Sequence, residues 1–280
     1  MSAPASDLVT VEEVPIDESK DLGSIALVTI NRPDKLNSLN AEVMDDLKAI
    51  VAWIQSTNSI RVAVITGAKP NPPPEGKRAK PNAFVAGADI TEFVGMNPEQ
   101  IRTKFTDNAV EALWNLNKPT IAMVDGFALG GGCEVACSCD IRVSSDRSKF
   151  GTPEINLGLI PGYGATQRLV HLVGYGKTME LIMTGEMIDA AEAHRIGLVN
   201  HVCSPDELHD FTLNMARLIG SKSSMVLGVG KTAIRAALDV GLTEGIGVEL
   251  EHFANLFGSK DQIIGVNAFI NRETAEWQHE

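Results

Sequence analysis

Three consecutive glycines, Gly130-Gly131-Gly132, stand between a β-forming run and an apolar helix, so the chain must turn there. Thr120-Ile121-Ala122-Met123-Val124 reads as the strand, and the stretch to Cys139 as the helix. Glycines that open a helix leave bare N–H groups where a ligand oxygen can approach closely, and the helix dipole adds a preference for negative charge. Glu134 lies one turn further on and points into the same space; Pro153-Glu154 brings a second carboxylate. Two carboxylates facing one pocket are the minimal equipment for adding or removing water by paired acid and base.

The surrounding pattern is that of an α/β chain. Arg61-Val62-Ala63-Val64-Ile65-Thr66 is a nearly continuous apolar run, as in a strand covered on both faces by helices. Further strands are predicted over 8–14, 24–30, Ala83-Phe84-Val85 and Ile141-Arg142-Val143, with helices over 40–57 and about 98–117. Residues 68–82 carry Pro70, Pro72, Pro73, Pro74 and Pro81 and can only be a loop. After about residue 175 strands nearly vanish, and helical patterns cover 176–184, 189–196, 205–220, 222–239, 243–257 and 261–270. The chain divides on this reading into a core with the active site, 1–200, and a C-terminal helical region, 201–280.

A net charge of −12 argues against a nucleic-acid or anionic-membrane surface, both of which need clustered Lys and Arg. No apolar run approaches the ~18 residues of a membrane span, and the N-terminus shows no basic region followed by an apolar run. Cys133, Cys137, Cys139 and Cys203 have no metal-site spacing and read as buried thiols in a reducing compartment, so the cytoplasm is expected. No His/Asp/Glu cluster suggests a metal.

A second turn completes the candidate site. Ala86-Gly87-Ala88-Asp89 ends one strand and the glycine triplet ends another. If those strands are neighbours, one N–H from each turn can converge on a carbonyl oxygen that gains charge, forming an oxyanion hole. Glu134 sits on an otherwise apolar helix, where a carboxylate is costly unless paired or functional. Glu154 precedes the apolar segment Leu157-Gly158-Leu159-Ile160-Pro161-Gly162, whose walls should raise its pKa from ~4.3 towards neutrality, as acid–base work near pH 7 requires.

Four motifs in order carry a resemblance: Asn31-Arg32-Pro33-Asp34-Lys35-Leu36-Asn37-Ser38-Leu39-Asn40, Ala83 through Ile90, Gly126 through Glu134, and Phe150 through Leu169. Together they resemble the crotonase family, and enoyl-CoA hydratases within it, from about residue 24 to 272. The resemblance implies a spiral of ββα repeats with a C-terminal α-helical trimerisation region, and trimers that usually pair into hexamers. It implies an acyl-CoA thioester substrate, with coenzyme A part of the substrate and no separate cofactor. By motif position, Ala88 and Gly131 supply the oxyanion N–H groups, Glu134 and Glu154 the acid/base pair, and the Gly162 N–H a hold on the catalytic water. Lys35, Leu36, Ala86, Gly87, Ala88, Asp89 and Ile90, with Gly130 and Gly131, match the region that binds substrate and coenzyme A. Because both glutamates are present, the resemblance implies reversible hydration of a short-chain trans-2-enoyl-CoA. The alternatives are a Δ3,Δ2-enoyl-CoA isomerase and a non-catalytic RNA-binding relative, the latter opposed by the charge.

Two segments depart from the family pattern. Loop 68–82 is long and carries Lys69, Lys77, Arg78 and Lys80 against one acid, Glu75; it reads as a solvated insertion or as a basic lip for the coenzyme A phosphates. Near the C-terminus, Ile263 and Ile264 replace residues that are typically charged. Gly176-Lys177-Thr178 lacks the upstream glycine of a phosphate-binding loop, and the scattered histidines have no serine or cysteine partner motif.

Overall fold

A computed structural model describes residues 2–280. β1 (Val9–Pro15), β2 (Ser24–Ile30) and α1 (Ala41–Ser56) lead into three successive units of two strands and a helical segment. The first unit is β3 (Ile60–Gly67) and β4 (Ala83–Val85) followed by α2 (Pro98–Phe105) and α3 (Ala109–Trp114). The second is β5 (Thr120–Val124), β6 (Phe127–Leu129) and α4 (Gly131–Ser138); the third is β7 (Ile141–Ser145), β8 (Lys149–Gly151) and α5 (Ala165–Val173). Then come α6 (Tyr175–Thr184), β9 (Ile188–Asp189), α7 (Ala190–Arg195), β10 (His201–Cys203), α8 (Leu208–Gly220), α9 (Ser224–Ala236), α10 (Leu242–Asn255) and α11 (Lys260–Asn271).

Within each unit the first strand joins one sheet and the second joins another. The six-stranded sheet has the order β1-β2-β3-β5-β7-β10, and the four-stranded sheet β4-β6-β8-β9. β2, β3, β5, β7 and β10 are parallel, as are β4, β6 and β8, which requires a crossover between successive units. This is the predicted spiral of ββα repeats. Parallel strands are covered on both faces, and accordingly all five residues of β5 are buried. One core cluster fills the space between the sheets and includes Leu47 of α1, Phe84, Val110 and Phe150. A second lies under α8, where Leu208 and Leu213 meet Ile25, Val62 and Ile121.

The helix predicted over 98–117 is two helices. Asn97 and Gln100 form a capping box and Pro98 takes the first turn, which starts α2. Asp107 then adopts φ 52, and the Asn108 side chain accepts the Glu111 N–H to start α3. A left-handed residue cannot sit inside a right-handed helix, so the pattern is interrupted there. Loop 68–82 forms neither helix nor strand, as its prolines require. α9 and α10 contain no buried residue, while Leu242, Leu250, Phe253, Phe257 and Phe269 on and around the last two helices are exposed. Among the described residues no helix is long and apolar enough to cross a membrane.

Candidate active site

The two turns meet. Leu39 donates its N–H to the Gly87 carbonyl at 2.9 Å and accepts the Asp89 N–H at 2.7 Å, forming an isolated parallel bridge with Ala88. In such a bridge the central residue, Ala88, turns its own N–H to the opposite side. Gly131, the first residue of α4, lies there: a Cβ built on it would stand 3.5 Å from the Ala88 nitrogen. Neither N–H donates to a backbone carbonyl among the described residues, and the first residue of a helix has no partner one turn back. The triplet is locked in place from both ends. The Gly130 N–H donates to the Gly151 carbonyl at 2.9 Å, and Gly132 packs so tightly on Val85 that no side chain fits.

Glu134 is 1% exposed on the first turn of α4. Its Oε1 accepts the backbone N–H groups of Tyr163 at 2.7 Å and Ala165 at 3.0 Å. Burial pushes its pKa up to about 7; the Glu154 charge adds to the rise, while the Ala165 and Tyr163 N–H groups and the Arg168 charge oppose it. Glu154 opens a 3-10 turn, Pro153–Leu157, after β8. Burial raises its pKa as well, and its Oε2 is buried with no hydrogen-bond partner among the described residues. Hydrogen bonds to a carboxylate favour the charged form, and an unpartnered buried oxygen favours the neutral acid. The two glutamates therefore differ in their donors, although on Glu134 those donors only partly offset the rise caused by burial.

A cavity of about 590 Å³ joins these groups. Ala86, Gly87, Ala88, Ile90, Gly130, Gly131, Glu134, Glu154 and Gly162 all border it. Lys35, Leu36 and Asp89 do not. Lys35 ends an exposed 3-10 turn, and the Leu36 carbonyl accepts the Ala86 N–H at 3.0 Å, so this segment supports the Ala86–Asp89 turn from behind. The Asp89 carboxylate is held by Arg32 at 3.2 Å and Thr91 at 2.7 Å. A larger cavity, about 1100 Å³, lies against α9, α10 and α11; it is apolar and contains neither glutamate, so the chemistry belongs to the smaller one.

Three contributors escaped the reading of the sequence. The Tyr163 and Ala165 N–H groups hold Glu134. Arg168 donates to the Tyr163 carbonyl at 2.6 Å and to Glu111 at 2.5 Å. Phe105 of α2 stacks on Tyr163 with ring centroids 4.3 Å apart. Lys177 of the discounted Gly176-Lys177-Thr178 segment pairs with Glu180 and Glu192 instead.

Paired carboxylates beside two convergent N–H groups define a site for acid–base chemistry on an activated carbonyl compound. The sequence profile described as enoyl-CoA hydratase/isomerase matches residues 20–280, and the chain belongs to that family. It is similar to the short-chain-enoyl-CoA hydratase of Clostridium acetobutylicum, 40% identical over 91% of this chain and 94% of the relative. It is also similar to a protein of Rhizobium meliloti named probable enoyl-CoA hydratase, 40% identical over 92% of this chain and 95% of the relative. A crystal structure of enoyl-CoA hydratase from Bacillus anthracis superposes with a TM-score of 0.85 at 32% identity, covering 98% of this chain and all of the other.

Proposed function

We propose that this protein is a hydro-lyase that reversibly adds water across the double bond of a short-chain trans-2-enoyl-CoA, giving the 3-hydroxyacyl-CoA. The observation that carries the reading is the contrast between Glu134, held by two N–H donors, and Glu154, with an unpartnered buried oxygen, in one cavity with Ala88 and Gly131. The thioester oxygen accepts from Ala88 and Gly131, which stabilise it as it gains negative charge. The Glu134 carboxylate takes a proton from water as the water oxygen bonds to the β-carbon. The Glu154 carboxylic acid gives its proton to the α-carbon, and the thioester carbonyl re-forms. The Gly162 N–H steadies the water, in keeping with its place on the cavity wall. The proton left on Glu134 then returns to Glu154 through solvent, so both carboxyl groups regain their starting states and both added hydrogens come overall from water, with coenzyme A entering only as part of the substrate.

The exposed apolar residues of α10 and α11, Phe253 and Phe269 among them, support self-association as a trimer or a dimer of trimers. The free thiols fit a reducing compartment such as the cytoplasm. The direct test of activity follows the conjugated thioester absorbance of trans-2-butenoyl-CoA. Its loss with formation of 3-hydroxybutyryl-CoA, together with a fall of about 10²–10⁴-fold in Glu154→Gln, is expected. Conversion of a 3-enoyl-CoA without any water addition would instead assign an isomerase.

A further inference from the structure

We propose that the stacked rings of Tyr163 and Phe105 set the acyl-chain limit of this site, which rests on the hydratase reading above. Tyr163 is 5% exposed and starts from the backbone N–H that holds Glu134. Its ring reaches back towards the oxyanion turn: a Cβ on Gly131 would stand 3.6 Å from Tyr163 Cδ2. The ring therefore lines the cavity beside the oxyanion turn. With the thioester oxygen on Ala88 and Gly131 and the β-carbon facing Glu134, the substituent on the β-carbon extends towards that ring.

The ring is covered on its other side by a half-buried aromatic pair. Phe105 covers its other face, with centroids 4.3 Å apart and planes 16° from parallel. Phe105 is itself backed by Phe93, at 5.9 Å, and pressed against Gly162, where a Cβ would stand only 2.6 Å from the Phe105 ring. A glycine at 162 is thus what allows Phe105 to seat. α2 is pinned near its end by Lys104, which pairs with Glu92 at 2.6 Å, both side chains being partly exposed. Lengthening the acyl chain requires displacing an aromatic stack held from both sides, and a close-packed group of that kind yields only at a cost. Leu157, Leu159 and Ile160, which border the same cavity, are exposed and give no comparable stop. On this arrangement a short β-substituent is favoured beside the stack.

The test compares kcat/KM for trans-2-enoyl-CoA substrates of four, six, eight and ten carbons in the wild type, Phe105→Ala, Phe105→Leu and Tyr163→Ala. The wild type should lose about tenfold or more from four to eight carbons, four added methylenes, since even one can discriminate by that much in an apolar pocket. Phe105→Ala and Tyr163→Ala should each raise the eight-to-four-carbon ratio by about tenfold or more, with Phe105→Leu intermediate. Using the ratio removes any general loss of activity, and Phe105→Leu retains most of the packing volume if the alanine variants fold poorly. A ratio unchanged in all three variants, or a wild type indifferent to chain length, overturns the proposal. Absence of hydration at every length overturns the hydratase reading, and this inference with it.

Discussion

Glu154 Oε1 lies so close to Gly130 that a Cβ built on the glycine would stand 2.9 Å from it. Gly130 also has φ 50 and ψ −122, a conformation L side chains rarely adopt. The residue before the oxyanion donor is therefore bare for two reasons: its backbone angle and the carboxylate against it. Gly130→Ala should lower unfolding free energy by about 1–3 kcal/mol. It should lower kcat more sharply, by about 10²-fold, because it displaces Glu154 and the Gly131 N–H together. Denaturant titration and steady-state kinetics on the same preparation separate the two effects. An alanine variant with wild-type kcat would show that Glu154 need not sit where it does.

Burial of Glu134 has a measurable consequence for stability. Its pKa stands at about 7 in the folded protein against an ordinary value of 4.5. A carboxyl whose folded pKa is raised contributes stability that is fully present below about 4.5 and is lost as pH rises through about 7. The shift corresponds to roughly 3 kcal/mol. Glu134→Gln, which cannot ionise, should gain stability relative to wild type by about that amount between pH 4.5 and 8. Unfolding titrations of both proteins across this range provide the check. A constant difference between them would mean that Glu134 ionises as freely when folded as when unfolded.

The basic loop gains one structural anchor. Lys80 Nζ donates to the Asp34 carbonyl at 2.7 Å and pairs with its carboxylate at 3.5 Å, which ties residues 68–82 to the turn carrying Lys35. Lys77 and Arg78 beside it are exposed. Replacing Lys77, Arg78 and Lys80 with Ser should raise KM for an acyl-CoA by about 3–10-fold at low salt, as expected for a few exposed charges, with little change in kcat. A pantetheine thioester, which lacks the nucleotide phosphates, should show no such rise. An equal rise for both substrates would exclude a contact with the phosphates, and no rise for either would make the loop a solvated insertion.

The parts of the site that were legible in the sequence are local. The helix beginning at Gly131 fixes the position of Glu134 within one turn, and Ala88 follows the end of β4; but the strand that leads into the triplet is β6, which the sequence reading merges with the Thr120–Val124 strand. The partnership between the two turns was conditional on β4 and β6 being neighbours, which strands of three residues do not announce. What remained hidden depends on side chains far apart in sequence. Tyr163 and Phe105 are stacked by tertiary packing, and no periodicity marks that pair. The break at Asp107 was masked because apolar spacing continued through Val110 and Leu113 while the backbone turned left-handed for one residue. Asp89 lay in the right motif, but Arg32 and Thr91 hold its carboxylate at the edge of the turn.

Arg168 provides the last test. It is 8% exposed, and its guanidinium donates to the carbonyl of Tyr163, the residue whose N–H holds Glu134. The same guanidinium pairs with Glu111 and lies 4.7 Å from the Trp114 ring centre, and Arg235 covers that ring at 4.0 Å. Arg168 thus acts on the proposed base in two ways. It fixes the 163–165 turn that supplies both N–H donors, and its charge favours the Glu134 carboxylate. Arg168→Leu removes both, so kcat should fall about 10–10²-fold and the acidic limb of kcat/KM against pH should move to higher pH. Arg168→Lys keeps the charge but not the planar fork that reaches Tyr163 and Glu111 together. Its kcat should fall while the acidic limb stays near the wild-type position. A purely structural arginine would lower the melting temperature in both variants and leave the limb in place in both. An unmoved limb in Arg168→Leu would therefore remove Arg168 from the control of Glu134.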